Sequence, residues 1–273
     1  MVLASDLENF CSLLFEASNE DRLKILELLR GEPMSVTKLS KVLSIGTQEM
    51  SRHVSRLIGA GLVERDVDGL NHISNYGGLT LIQLAGVRFT AKNSRYFADH
   101  PLDRLPTQFV LSLGELEEST FLDDTILVFD HVEKMISEAE EYVYRITDRY
   151  LRSWLPIIDD ALRHGVEYRM LSPADIVVPS NFKMPPLMTK ADIRGQFNVR
   201  TTPGPHVFLA MSEKEVSALG FLNSKGRLDY FSFQSRDPRF HGWCLDLFNN
   251  YWAASKPAPR ERLLNWGTFE EKT

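Results

Sequence analysis

Gln48, Ser51, Arg52 and Ser55 recur at the spacing that lines one side of a helix. Glutamine and arginine can pair with a base edge through two hydrogen bonds, and serine is short enough to let a helix approach. Arg56, at the margin of this side, suits a phosphate. The chemistry on offer is recognition of double-stranded DNA. Met50, Val54 and Leu57 take the opposite face, with Ile58 beside it. Thr47, counted with the DNA-facing residues, is also placed to cap the helix at its start, and Ala60-Gly61 ends it, with Gly61 free to turn left-handed. An ordinary solvated helix would show the same polar side. Here, however, one acidic residue, Glu49, stands against two arginines, and the flanking elements are specific.

Those elements make the helix part of a winged helix-turn-helix. Residues 6–16 read as a helix, and Ser18-Asn19-Glu20-Asp21 resembles a capping box for a second. Ser35 or Thr37 caps a short third helix, on which Lys38 and Lys41 would flank the DNA backbone. Gly46 lies in the turn before the polar helix. After it, Leu62-Val63 opens a strand, Asp68-Gly69 signals a hairpin turn, and residues 71–74 return. Arg65 and His72 on this wing would reach backbone or minor groove. The words SRHVSRLIGAGLV resemble the recognition helix of ArsR-like regulators.

A second constellation lies far downstream. His206, Glu213, Gly220 and Asn223 follow the spacing of the phospholipase D motif, H-x-K-x(4)-D-x(6)-G-S-x-N. Phe208 stands where that motif has its phosphate-binding lysine, Phe221 replaces the serine, and Glu213 the aspartate. Without the lysine, charge developing on a phosphoryl group loses a principal counter-charge. The pattern therefore reads as a catalytic remnant kept for binding, with His206 and Asn223 as ligand contacts and no catalytic residue. A structural role for a lone histidine at a strand start is the plainer alternative.

The intervening chain reads as a sensor. A helix over about residues 80–98, carrying Leu81, Leu84, Phe89 and Phe97, offers a dimer interface or a docking face. Prolines at 101 and 106 then break the pattern. From residue 130 a helix–strand–helix–Gly165–strand alternation predicts a largely parallel sheet. Its ligands belong at the strands' carboxyl ends, where Asp148, Tyr150 and the run Ser172-Pro173-Ala174-Asp175 fall. Capping of the following helix is the alternative for Asp148. Three further strands precede a terminal aromatic-rich helix. The expected organisation is a DNA-binding domain over 1–78, a linker and dimerisation helix over 79–105, and an α/β effector-sensing domain over 106–273. In fold class this is α+β and α/β multidomain.

Composition is that of a soluble protein: 273 residues, 43% hydrophobic, 25% charged, net charge −6. That balance excludes a histone-like coat but not a locally positive face. No signal peptide or membrane-length apolar run is evident, which with Cys11 and Cys244 far apart fits a reducing cytoplasm. Both cysteines read as small core residues. No metal site or cofactor motif is found.

Taken together, the helix–wing unit, LDRLPTQFVLSLGELEEST, EAEEYVYRITDRYL, HGVEYRMLSP and DPRFHGWCLDLFNNYW resemble archaeal FilR-type (methanogenesis regulatory protein) transcription regulators. The resemblance implies sequence-specific DNA binding as a homodimer, modulated by a small-molecule effector, and no enzymatic activity. The competing readings are a diverged phosphodiesterase or nuclease tethered to DNA, and a winged helix that binds a protein.

Overall fold

The computed structural model describes residues 4–174, 176, 195–204 and 206–258, and the chain divides into two compact units, Met1–Val87 and Arg88–Thr273.

In the first unit, α1 (Ala4–Ala17), α2 (Glu20–Gly31), α3 (Val36–Leu43) and α4 (Thr47–Gly59) precede the wing strands β1 (Val63–Arg65) and β2 (Asn71–Ile73). Each start has a local cause. Asn19 accepts from the Arg22 N–H and Ser35 from the Lys38 N–H, satisfying first-turn donors of α2 and α3. At α4 the cap differs from expectation: Gly46 holds that position, so Thr47 is already helical and makes no cap bond. Its hydroxyl instead lies 3.3 Å from that of Ser40. Gly61 closes α4 at φ +73° and Gly69 turns the wing at φ +79°. Ile25, Leu26, Leu39, Met50, Val54, Leu57 and Leu62 form the core of this unit.

The wing is anchored at its base. Buried Asn71 exchanges backbone hydrogen bonds with Met34, donates a further one from Nδ2 to the Met34 carbonyl, and accepts from Arg65 Nε. Ser74 Oγ accepts from the Gly77 N–H, closing the first turn of α5 (Asn75–Lys92). That helix starts before the expected residue 80 and ends before residue 98. A short α6 (Ser94–Phe97) follows. The division between the units falls inside α5, not at the prolines. Phe89, Tyr96 and Leu105, expected in a linker, belong to the second unit's core.

That unit continues with α7 (Thr107–Leu111), a 3₁₀ turn (Leu113–Leu116), β3 (Thr120–Leu122), α8 (Thr125–Glu138), β4 (Tyr142–Ile146), a 3₁₀ turn (Arg152–Trp154), α9 (Leu155–Arg163) and β5 (Glu167–Pro173). Beyond these lie β6 (Phe197–Thr202), β7 (Val207–Ser212), β8 (Val216–Phe221), β9 (Ser232–Ser235), the helix Pro238–Ala254, here α10, and β10 (Lys256–Pro257). The eight strands run in the order β10-β6-β5-β4-β7-β8-β9-β3. The fold class stands as a mixed α+β and α/β architecture, but the sheet is not largely parallel. Parallel pairing is confined to β4, β5 and β6. The segment 213–215 between β7 and β8 is too short for a crossover, so it makes a hairpin, and β8, β9 and β3 follow antiparallel. Helices α8 and α9 pack on one face, while α6, α7 and α10 cover the other. Burial of every residue on both faces explains the mostly apolar sequences of β7 and β8. Cys244 is buried there, whereas Cys11 is exposed on the outward side of α1 and is no core residue.

Candidate nucleic-acid interface and sensor recesses

Helix α4 owes its orientation to Met50, Val54 and Leu57, each wholly withdrawn from solvent. Gln48, Ser51, Arg52 and Ser55 therefore stand exposed on the other side, as their spacing predicts. The remaining residues expected at DNA are also at the surface of this unit, but several are engaged within it. Lys38 Nζ reaches Glu32 at 2.8 Å, and His72 Nε2 lies 2.6 Å from Asp66. Arg65 binds Asn71 through Nε alone.

Arg56 is held most firmly. Its Nε and one Nη donate to both oxygens of Glu16 at 3.1 and 2.6 Å, a fork-to-fork pair. Glu16 also meets Arg22 Nε at 3.1 Å, and the Phe15 ring lies beneath both guanidinium groups, at 5.2 Å from Arg56 and 5.8 Å from Arg22. The Arg56 hydrogen bond holds the Glu16 carboxyl below its ordinary range, against the opposing effect of burial. Sequence spacing assigned Arg56 to a phosphate and did not anticipate Glu16, forty residues upstream.

The four residues expected to touch a ligand fall into different surroundings. His206 and Asn223 line one recess of about 70 Å³ together with Arg104, Leu105 and Gly226. Burial, and then the charge of Arg104, lower the pKa of His206. Asn223 Oδ1 accepts from the backbone N–H groups of Lys225 and Arg227, shaping that turn. The rest of the motif points elsewhere. Phe208 is fully buried against Phe129 and Tyr230. Glu213 follows the far end of β7, roughly 20 Å of extended chain from His206. Its carboxylate accepts from the backbone N–H groups of Glu140, Glu141 and Tyr142. Burial alone would raise its pKa, but these hydrogen bonds prevail and lower it.

Asp148 accepts from the Tyr230 hydroxyl and from Arg149 Nε, and it caps no helix. Tyr230 sits at φ +68°, unusual for a bulky residue, with the Arg149 guanidinium over its ring at 4.6 Å. Tyr150 is buried in the core, and Asp175 lies outside the described residues. Beside Tyr150 stands a residue sequence reading passed over, Arg145 of β4, which is 1% exposed. An arginine at an inward position of a strand buried on both faces was the signal available.

Among the described residues no helix is long and apolar enough to cross a membrane. No curated protein matches the chain. Among solved structures, the chain is similar to TrmBL2, an archaeal chromatin protein, at 14% identity and a TM-score of 0.40, over 88% of this chain and 94% of that one. It is similar to NucT from Helicobacter pylori at 13% identity and a TM-score of 0.38, over 51% and 97% of the two chains. It is also similar to Nuc, a phospholipase D family member from Salmonella typhimurium, at 11% identity and a TM-score of 0.33, over 46% and 88%. Residues 17–66, which run from the end of α1 into the wing, match the model of a helix-turn-helix domain.

Proposed function

We propose that this chain is a sequence-specific, double-stranded-DNA-binding transcription regulator. It acts as a cytoplasmic homodimer whose second unit senses a small molecule. The observation that carries the reading is the division of α4. One side fills the first unit's core, and the other presents Gln48, Ser51, Arg52 and Ser55 outward, directly ahead of a wing. Among the described residues Arg52 has no ion-pair partner, which leaves its fork for a guanine edge.

Support for the homodimer comes from the first unit's surface. Leu7, Phe10, Leu14 and Phe15 of α1 and Tyr76, Leu79 and Ile82 of α5 are exposed. Seven large apolar side chains on two helices exceed the scattered exposure usual in a monomer. Two recognition helices would then address half-sites about 34–36 Å apart. The engagement of Glu213 with backbone and the burial of Phe208 favour binding over phosphodiester hydrolysis in the second unit.

The deciding experiment is selection of bound genomic fragments by the purified protein, repeated with Arg52→Ala. The expected result is an enriched palindrome whose discrimination over random DNA falls by roughly 1–3 kcal/mol in the variant. Equal loss on specific and random DNA would reassign Arg52 to a phosphate. No enrichment by a folded dimer would turn the reading toward a protein partner.

A further inference from the structure

Among the described residues, Arg145 is the largest fully buried side chain. Its Nη1 donates to the Tyr168 hydroxyl at 3.1 Å, and the Trp154 ring lies 4.3 Å from its guanidinium carbon. Its other two nitrogens, Nε and Nη2, are buried and have no hydrogen-bond partner among the described residues. These two are not an arbitrary pair. They share one edge of the planar guanidinium and direct two parallel N–H donors the same way, the fork that matches an oxyanion. Buried guanidinium groups are ordinarily paired, because an uncompensated charge in a core is strongly unfavourable.

Among the described residues, the neighbours given to Arg145 supply no anion. Tyr150 and Tyr168 are both fully enclosed, and burial pushes both phenols upward more strongly than the Arg145 charge draws them down. They stay neutral beside the cation. Trp154 offers a ring face and an indole donor but no acceptor. Among the described residues, the groups that meet this guanidinium are thus aromatic and neutral.

We propose that the Nε/Nη2 edge of Arg145 receives the carboxylate of a small organic acid, bound inside the second unit against Trp154 and Tyr168. A carboxylate fits better than a phosphate on charge. One guanidinium and one monoanion make a neutral pair, whereas a dianion would leave a net buried charge with no second cation to meet it. Tyr168 acts as a positioning residue, since its hydroxyl holds Nη1 and so fixes the direction of the open edge. Because the edge is enclosed, the acid enters only when the packing around it loosens. Occupancy is thereby tied to the conformation of the unit, and association is slow. This gives the effector of the regulator reading a chemical class, but its test uses no DNA, so either idea can fail without the other.

The test compares acetate, butyrate and benzoate with acetamide, butyramide and benzamide, and with inorganic phosphate, on the full chain. Calorimetric titration and the thermal unfolding midpoint are both recorded. At least one acid should bind saturably and raise the midpoint while its amide does neither. Arg145→Met should weaken that binding by at least about 30-fold, as loss of a buried charge pair does. Without any acid present, the same variant should unfold at a higher temperature than the parent, since an uncompensated charge has been removed. Arg145→Lys keeps the charge but loses the fork and should also lose the acid, which covers the case of a Met variant that does not fold. Tyr168→Phe should bind more weakly yet still prefer acid to amide. The proposal is overturned if no acid binds, if acid and amide behave alike, or if phosphate is preferred. Binding that survives in both Arg145 variants would overturn it too, as would a folded Arg145→Met variant with a midpoint below that of the parent.

Discussion

The Glu16–Arg56 pair alters what a single arginine on a recognition helix can be expected to do. Arg56 was legible as a helix-margin cation, but its partner lies on another helix, and no local pattern connects positions forty apart. Because Glu16 is paired in the fold, its carboxyl titrates below the unfolded value of about 4.3. The stabilisation it brings is therefore complete above that value and lost as pH falls through the lower, folded one. Glu16→Gln should accordingly unfold at lower urea than the parent near neutrality, with the gap closing in acid, below the ordinary carboxylate range. A gap that is the same at both pH values would mean that the pair contributes nothing. Arg56→Ala separates two roles. Loss of stability with an unchanged salt dependence of DNA binding fits the internal pair, whereas a slope smaller by about one fits a phosphate contact.

Individual elements were read with uneven success, and the differences have causes. Periodicity placed α4, the wing and strands β4 to β8, because alternation and turn residues are local signals, but it did not reach the short edge strands β3, β9 and β10. Parallel pairing was overextended beyond β6 because pairing partners are non-local, and the hairpin after β7 has no glycine to mark it. The candidate sensor residues divided for the same reason: His206 and Asn223 meet across β7 and β8, while Tyr150 points into another part of the core. Gly77 shows how closely α5 packs on the wing base. A Cβ there would lie 2.2 Å from the Leu62 carbonyl oxygen, a backbone atom that cannot step aside. Gly77→Ala should destabilise the first unit by about 1–3 kcal/mol or more, read as a shift of its denaturant midpoint. An unchanged midpoint would show that the start of α5 can move.

For the whole molecule, the exposed apolar side chains of α1 and α5 make the oligomeric state the property most open to a single substitution. Ile82→Glu should convert a dimer to a monomer in sedimentation equilibrium while leaving the circular dichroism of the fold intact. A parent that sediments as a monomer would remove the homodimer from the proposal. Little of this was visible in composition, since a net charge of −6 says nothing about which surface is apolar. The bridge between Met34 and Asn71 carries a further consequence, in the time domain. Joining the α2–α3 connection to β2, it turns a two-strand ribbon into the margin of a three-segment sheet with a satisfied amide at its centre. The amides of Met34 and Asn71 should therefore exchange with deuterium only when the unit opens as a whole, whereas the wing tip around Val67, which stands fully in solvent, exchanges at once. The wing is thus a fast-exchanging tip on a slow-exchanging root.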